Sequence, residues 1–318
     1  MNSNTFNQPL SGNEMPRFGG PSTFMRLPEG SNFDEVDAAI VGVPFDIATS
    51  NRPGARLAPR EIRDESRLLR PYNMATGAMP FDSIQIADFG DVPINTYSIE
   101  KSIQIIEDYF RRVYGSRCVP FTIGGDHSIA LPILRAAKKQ YGPVAMVHVD
   151  AHADCNESMF GEKYTHGTPF RRAVEEELLD CERVSQIGLR GTGYDPSDFD
   201  WSREQGFTVI EADECWHRSM QPLMEKLRSR VGDRPTYLSL DIDGLDPSCA
   251  PGTGTPEPGG LTTTQALEII RGCRGLNIIG ADVVEVAPPF DLSRNTSLLA
   301  ANLLYEMVCI HPKVRHRS

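Results

Sequence analysis

Carboxylate and imidazole side chains follow an apolar run in the segment VAMVHVDAHAD, residues 144–154. Asp150, His152 and Asp154 occupy every second position. A β-strand directs alternate side chains to opposite faces, so a strand that continued through Asp154 would place all three on one face. Carboxylates held that close repel one another unless a cation lies between them. The segment therefore predicts a cation site.

Two further segments show a related arrangement of metal-binding side chains. FTIGGDHS places His127 after an apolar run, and YLSLDIDGLDP places Asp241 and Asp243 two residues apart. If these runs form neighbouring strands, four carboxylates and two imidazoles converge. That number exceeds what one tetrahedral zinc ion needs and suits two divalent ions with bridging carboxylates. Oxygen and imidazole ligands without thiolate favour Mn, with Fe, Co and Ni as alternatives.

The elements that must position these side chains are strands alternating with helices. Strands are predicted at 36–46, 84–88, 118–123, 144–150, 184–189, 207–211, 236–242 and 278–286. Helices are predicted at 98–113, 128–140, 169–179, 219–230, 262–272 and 294–309, and another near Pro59. This alternation predicts an α/β fold with a mostly parallel sheet covered on both faces. The site is expected beyond the carboxyl ends of the strands. Residues 1–33 are interpreted as an N-terminal arm and residues 34–318 as one domain.

Composition excludes several classes of partner. The chain has 318 residues and a formal net charge of −11, which argues against nucleic acid because phosphate binding needs a basic patch. The sequence has no lysine- or arginine-rich tract that would bind an anionic membrane, and no apolar run reaches transmembrane length. The polar N-terminus does not read as a signal peptide. Seven cysteines without C-x-x-C spacing predict free thiols in a reducing compartment, and we expect a cytoplasmic protein.

The blocks GGDHS, DAHAD and SLDIDGLDPSCAPGTGTPEPGGL resemble, in the same order, the signature blocks of the ureohydrolase family, which includes arginase and agmatinase. The resemblance runs from about residue 36 to the C-terminus. The segments NEMPRFGG and RPYNMATGAMPFDS most resemble the guanidinopropionase and guanidinobutyrase branches of the family. It implies a three-layer αβα arginase-like fold, two Mn²⁺ per subunit and a homo-oligomer, commonly a trimer or hexamer. The implied ligands of the two ions are His127, Asp150, Asp154 and Asp241 for one, and Asp150, His152, Asp241 and Asp243 for the other, with Asp150 and Asp241 bridging.

The chemistry implied by the resemblance is hydrolysis of a guanidine to urea. Two metals that share a water lower its pKa, and the bridging hydroxide attacks the guanidinium carbon. Asp154 is expected to protonate the leaving amine. Glu285 in DVVEVAPP matches the family's guanidinium-binding glutamate, and His166 in THGTPF matches its proton-shuttling histidine, a role that suits a group titrating near neutral pH. Thr255 in GTGTPEPGG matches a position near the guanidinium.

The segment CNESMFGEKYTHG, residues 155–167, is expected to line the substrate tail. Asn156 could bind a carboxylate, and Met159 and Tyr164 would shape a narrower, partly apolar wall. The resemblance favours a linear guanidino acid, 3-guanidinopropionate, cleaved to urea and β-alanine. The alternatives are 4-guanidinobutyrate and agmatine, because one methylene is worth only about 1–3 kcal/mol in a pocket.

Other functions agree less well with the sequence. A two-metal phosphoesterase would carry a G-N-H-[DE] block, which is missing, and deacetylases of the arginase-like fold use one zinc and a different ligand set. The glycine-rich GTGTPEPGG lacks the G-K-[ST] of a phosphate-binding loop. A non-catalytic family member would be expected to have lost a ligand, Glu285 or His166, and all of them are present.

Overall fold

The computed structural model describes residues 6–317, whose centre is one eight-stranded sheet. Every pair of neighbouring strands is parallel, and their order is β2-β1-β3-β8-β7-β4-β5-β6. The strands are β1 (Ala38–Gly42), β2 (Ile86–Asp91), β3 (Val119–Ile123), β4 (Val144–Val149), β5 (Leu179–Leu189), β6 (Thr208–Glu211), β7 (Pro235–Asp241) and β8 (Asn277–Val284). The predicted α/β fold with a parallel sheet is confirmed.

Helices cover both faces of this sheet. They are α1 (Ala58–Glu65), α2 (Ile99–Gly115), α3 (Ala130–Tyr141), α4 (Pro169–Glu175), α5 (Asp200–Glu204), α6 (Ala212–Cys215), α7 (Gln221–Val231), α8 (Thr263–Gly272) and α9 (Asn295–Cys309). Helices α1, α7, α8 and α9 contribute to one hydrophobic cluster, and α2, α3 and α4 contribute to the other. The three-layer αβα arrangement follows.

The alternation of side chains along the central strands explains why both faces need a cover. In β4, Ala145, Val147 and Val149 belong to one cluster. Val144 and Met146 belong to the other. All six residues of the strand are buried, and burying a large aliphatic side chain contributes about 1.5–3 kcal/mol. A near-continuous apolar run is therefore what a central parallel strand requires.

Two differences from the predicted elements have local causes. Helix α4 ends at Glu175 instead of residue 179, and Leu179 begins β5 by pairing with Val144 of β4. The backbone turns between them at Glu177, whose φ is 54°. The short helix α6 was not predicted; reciprocal hydrogen bonds between Glu211 and Glu214 cap its first turn.

The described part of the N-terminal segment packs on its own chain. Asn7 Nδ2 donates to Ile86 O over 3.0 Å, and Phe24, Met25 and Leu27 are buried. The sheet therefore gains a covering segment before β1 begins. Among residues 6–317, no helix is long and apolar enough to cross a membrane.

Candidate metal centre

The six predicted metal ligands lie at the carboxyl ends of β3, β4 and β7. His127 begins a short 3-10 helix four residues after β3, Asp150 follows β4 directly, and Asp241 is the last residue of β7. His152 is about one-third exposed, and the other five residues are buried. Parallel strands end at one edge of the sheet, so the fold brings these segments together.

The strand that was expected to continue through Asp154 is not formed. Strand β4 ends at Val149, and Asp154 has a left-handed backbone with φ of 51°. The chain folds back instead: Ala151 N donates to Asp243 Oδ1 over 3.2 Å, and Arg190 N donates to Ala151 O over 2.9 Å. A loop held by neighbouring segments, and not a pleated strand, therefore brings Asp154 close to His127.

The first group of ligand atoms surrounds the imidazole of His127. Its Nδ1 lies 3.1 Å from Asp150 Oδ2, 3.0 Å from Asp154 Oδ2 and 3.4 Å from Asp241 Oδ2. The four ligand atoms all lie within 4.8 Å of one another. Four oxygen and nitrogen donors at such distances match what a divalent transition metal takes from protein side chains.

The opposite side of the His127 ring fixes the position of its proton. Nε2 lies 2.9 Å from Ser239 Oγ, and Ser239 Oγ donates its own hydrogen to Asp282 Oδ1 over 2.8 Å. Ser239 can then only accept from Nε2–H, which leaves the lone pair of Nδ1 directed at the carboxylates. Among the described residues this buried Nδ1 has no hydrogen-bond partner with acceptable geometry. A lone pair that faces three carboxylate oxygens needs a cation, so these residues fit a metal ion.

A second group lies beside the first and shares Asp150 with it. Asp150, His152 and Asp243 offer ligand atoms within 4.8 Å of one another. His152 Nδ1 lies 3.2 Å from Asp243 Oδ2 and 3.5 Å from Asp150 Oδ1. The two oxygens of Asp150 thus face different groups, as a bridging carboxylate would. Asp241 is part of the first group only, so its bridging role stays a prediction.

The electrostatics of the cluster favour added positive charge. Burial, followed by the charges of Asp243 and Asp150, raises the pKa of Asp241 well above its usual range. Burial lowers the pKa of His127, but the adjacent carboxylates of Asp150, Asp154 and Asp241 outweigh burial and raise it well above the usual value. The carboxylates therefore attract protons when no other cation neutralises them.

Glu285 and His166 lie next to the first group. Glu285 follows β8 directly and has a left-handed backbone with φ of 61°. Its Oε1 accepts from the backbone N–H of His127 over 2.9 Å and lies 3.1 Å from His166 Nδ1. Burial lowers the pKa of His166, but the charge and hydrogen bond of Glu285 raise it more, to about 9. The pair is placed to hold and move a proton beside the ligands.

The residues predicted to bind the substrate have different surroundings. Thr255 Oγ1 donates to Asp243 Oδ2 over 3.1 Å, which places it at the second group. A pocket of about 160 Å³ opens beside the cluster, lined in part by His152, Asp154, Asn156, Arg190 and Tyr194. Met159 and Tyr164 are half-buried and are not among the described residues that line this pocket. The ring of Tyr164 lies 5.9 Å from the guanidinium carbon of Arg135.

Several residues that support the site were missed by the sequence analysis. His148 Nε2 lies 2.8 Å from Asp150 Oδ2, and its position two residues before Asp150 was a usable signal. Arg190 donates to backbone carbonyls that include those of Asp243 and Gly244, and so holds the loop that carries Asp243. Nothing in the local sequence around Arg190 or Ser239 indicates such partners, because these contacts join distant segments.

Comparison with known proteins gives consistent results. The profile of the arginase family matches residues 36–309. Guanidinobutyrase of Pseudomonas aeruginosa is 63% identical over 98% of each chain. The mitochondrial agmatinase of Gallus gallus is 55% identical over 98% of this chain and 91% of its own, and guanidinopropionase of P. aeruginosa is 45% identical over 99% of each. The solved structure of proclavaminate amidino hydrolase from Streptomyces clavuligerus superposes with a TM-score of 0.88 at 40% identity, covering 93% of this chain and 100% of that one.

Proposed function

The chain belongs to the arginase family, and from this premise we propose that it is a manganese-dependent hydrolase that cleaves 4-guanidinobutyrate to urea and 4-aminobutyrate. One observation carries the proposal: two groups of metal-ligating side chains share Asp150 at the ends of the central strands. Glu285 and His166, which can bind a cation and move a proton, lie beside them. Relatives named for the hydrolysis of linear guanidino compounds match nearly the whole chain.

The proposed tail length differs from the one expected from the sequence. The guanidinobutyrase is 63% identical and the guanidinopropionase 45% identical, at nearly equal coverage. These similarities support 4-guanidinobutyrate better than 3-guanidinopropionate. Agmatine is the second candidate, because the agmatinase named above is 55% identical.

The metals of the proposed enzyme are two Mn²⁺ ions. His127, Asp150, Asp154 and Asp241 would hold one, and Asp150, His152 and Asp243 would hold the other, with Asp241 as the proposed second bridge. When bound, the ions would supply the Lewis acidity that makes water a nucleophile near neutral pH. The donor set of oxygens and imidazole nitrogens, without thiolate, supports Mn over softer metals.

The side chains around the metals perform the remaining steps. Glu285 accepts its two hydrogen bonds at Oε1, which leaves Oε2 to accept N–H groups of the guanidinium. Gly254 has no side chain to fill the space there; a Cβ atom at this position would lie 3.5 Å from Oε2. Asp154 takes the proton of the attacking water and gives it to the leaving amine. His166 then exchanges protons with the solvent.

A substrate panel tests the proposal. The purified protein is loaded with Mn²⁺, and urea release is measured from 4-guanidinobutyrate, 3-guanidinopropionate, agmatine and arginine. The expected result is the highest kcat/KM on 4-guanidinobutyrate. A higher kcat/KM on 3-guanidinopropionate or agmatine would change the substrate within the same chemistry. Absence of urea from all four would refute the proposed function.

A further inference from the structure

The proton-carrying His166 has little direct contact with solvent. Its surface is only 7% exposed, and both ring nitrogens meet protein atoms. Nδ1 faces Glu285 Oε1 at 3.1 Å. Nε2 lies 2.7 Å from Ser50 Oγ and accepts from the backbone N–H of Ser50 over 3.2 Å. A proton that leaves the active site through His166 must therefore pass a group on the segment around Ser50.

The backbone contact of Ser50 determines the tautomer of His166. A backbone N–H can only donate, so in the neutral imidazole Nε2 presents its lone pair to it and Nδ1 carries the hydrogen towards Glu285. The hydroxyl of Ser50 is the adaptable partner, because it can donate to neutral Nε2 or accept from a protonated one. Ser50 is exposed as a residue, so its hydroxyl can link the buried imidazole to bulk water.

The segment that carries Ser50 is held at the site by hydrogen bonds to several other segments. We call residues 46–56, which follow β1, the Ser50 loop. At its base, Asp46 accepts from the backbone N–H groups of Gly54 and Arg56 at 2.8 and 3.2 Å. Near its tip, Ala48 N donates to Asp126 Oδ2 over 3.1 Å.

Two further bonds join the Ser50 loop to the active-site segments. His166 N donates to Ala48 O over 3.2 Å. The side chain of Asn51 donates to Gly254 O over 3.0 Å. The loop is therefore bound on both sides of the proposed guanidinium position. These bonds place Ser50 next to His166.

We propose that Ser50 is a positioning residue that orients His166 and relays its proton to solvent. The inference rests on the proposed function. In the relay, the N–H bond at Nε2 of the imidazolium breaks as its proton moves to Ser50 Oγ, and the Oγ–H bond breaks as that hydrogen moves to a solvent water or buffer base. Neutral His166 and an intact hydroxyl remain, so the protons balance.

Charges on several neighbouring elements act on His166. Glu285 from the end of β8, Asp154 from the loop after β4 and Asp126 from the segment after β3 all stabilise its protonated form. Nδ1 faces the Glu285 carboxylate at 3.1 Å, so a proton bound for solvent leaves from Nε2, where Ser50 Oγ lies 2.7 Å away. A hydroxyl at Nε2 that accepts the proton is therefore expected to accelerate turnover.

Ser50→Ala removes the hydroxyl and keeps the backbone N–H, and Ser50→Thr restores a hydroxyl. Thr49→Ala is the matched control, because it removes the neighbouring hydroxyl of the same loop, which is bonded to Asp126 Oδ2 at 3.4 Å and not to His166. For Ser50→Ala we expect kcat to fall about tenfold in dilute buffer, because a complete general acid–base group contributes about 10²–10⁴-fold and water can partly replace a hydroxyl. KM should stay within twofold, and Ser50→Thr should recover most of kcat.

The decisive measurement is the dependence of kcat on buffer concentration. A small buffer such as imidazole should raise the kcat of Ser50→Ala towards that of the native protein and leave that of Thr49→Ala unaffected. Native kcat in Ser50→Ala, or a loss that buffer and Ser50→Thr do not recover, would overturn the relay while native urea release still supports the proposed function. Absence of urea from the native protein would instead defeat the proposed function itself.

Discussion

Ser239→Ala is expected to weaken metal binding without touching a metal ligand. Ser239 Oγ accepts from His127 Nε2 and donates to Asp282 Oδ1, at 2.9 and 2.8 Å. Alanine removes both bonds and leaves two buried polar atoms without partners. His127 can then rotate or exchange its tautomer, so that Nδ1 no longer presents a fixed lone pair to the carboxylates.

The magnitude has two parts. Loss of an outer-shell partner of a metal-binding histidine typically costs 10–100-fold in metal affinity, which corresponds to about 1.4–2.7 kcal/mol. A buried polar group left unsatisfied costs about 1–3 kcal/mol of folding free energy, and Asp282 is fully buried. Because Tyr237 Oη still donates to Asp282 Oδ2 over 2.6 Å, we expect the lower half of that range, about 1–2 kcal/mol.

Mn²⁺ titration and urea-induced unfolding of the metal-free protein measure the two parts separately. Thr122→Val is the matched control. Thr122 is a fully buried strand residue, and its hydroxyl has no hydrogen-bond partner among residues 6–317. Removing that hydroxyl should leave Mn²⁺ affinity unchanged and should not lower the free energy of unfolding.

Ser239 is expected to affect metal binding only by fixing the tautomer of His127. If Ser239→Ala binds Mn²⁺ with native affinity, the lone pair of Nδ1 is not held by Ser239 and the argument for the first metal group fails. If Thr122→Val loses as much Mn²⁺ affinity as Ser239→Ala, any substitution in the central strands would have this effect. The contact between Ser239 and His127 would then have no specific role.

Three further outcomes are expected. Asp154→Asn should keep the native circular dichroism spectrum and lose at least about 10²-fold in urea release; near-native release would exclude Asp154 as the proton carrier. Alanine at both Met159 and Tyr164 should change the ratio of kcat/KM values on 4-guanidinobutyrate and 3-guanidinopropionate, and an unchanged ratio would show that this segment does not contact the tail. Burial lowers the pKa of His311 to about 4 from an unfolded value near 6.5, so the unfolded chain binds the extra proton first and stability falls as the pH drops from 6.5 to 4. At about 1.4 kcal/mol per unit of pKa difference, the free energy of unfolding falls by about 3 kcal/mol over this range. The pH dependence of stability should be shallower in His311→Asn.

The parts of the site nearest the strands were the most predictable from sequence. Asp150 directly follows one apolar run, Asp241 ends another, and His127 lies four residues after a third; each run forms a central parallel strand. The carboxyl ends of such strands share one edge, so spacing along the chain was sufficient to expect these side chains together. Strand alternation was the wrong reason for including Asp154, because the strand stops five residues earlier.

The supporting contacts could not be predicted from local patterns. Ser50 and His166 are 116 residues apart, and His127 and Ser239 are 112 residues apart. A serine has no periodicity that marks it as a partner of a distant imidazole, and its hydroxyl is informative only once the sheet order is known. The tail length has the same difficulty, since a change of one methylene alters only a few contacts in the pocket.

Two carboxylates of the site lie on strained backbone. Asp154 and Glu285 are left-handed non-glycine residues, a conformation that costs about 1–3 kcal/mol each and persists only where neighbouring structure holds it. Phe170 N donates to Asp154 O over 3.1 Å, and Glu285 N donates to Gly125 O over 2.8 Å, so both turns are held by bonds to other segments. His127, Asp150 and Asp241 are not among the left-handed residues. The strand ends therefore present His127, Asp150 and Asp241 on relaxed backbone. The strained positions carry Asp154 and Glu285, to which we assign proton transfer and guanidinium binding.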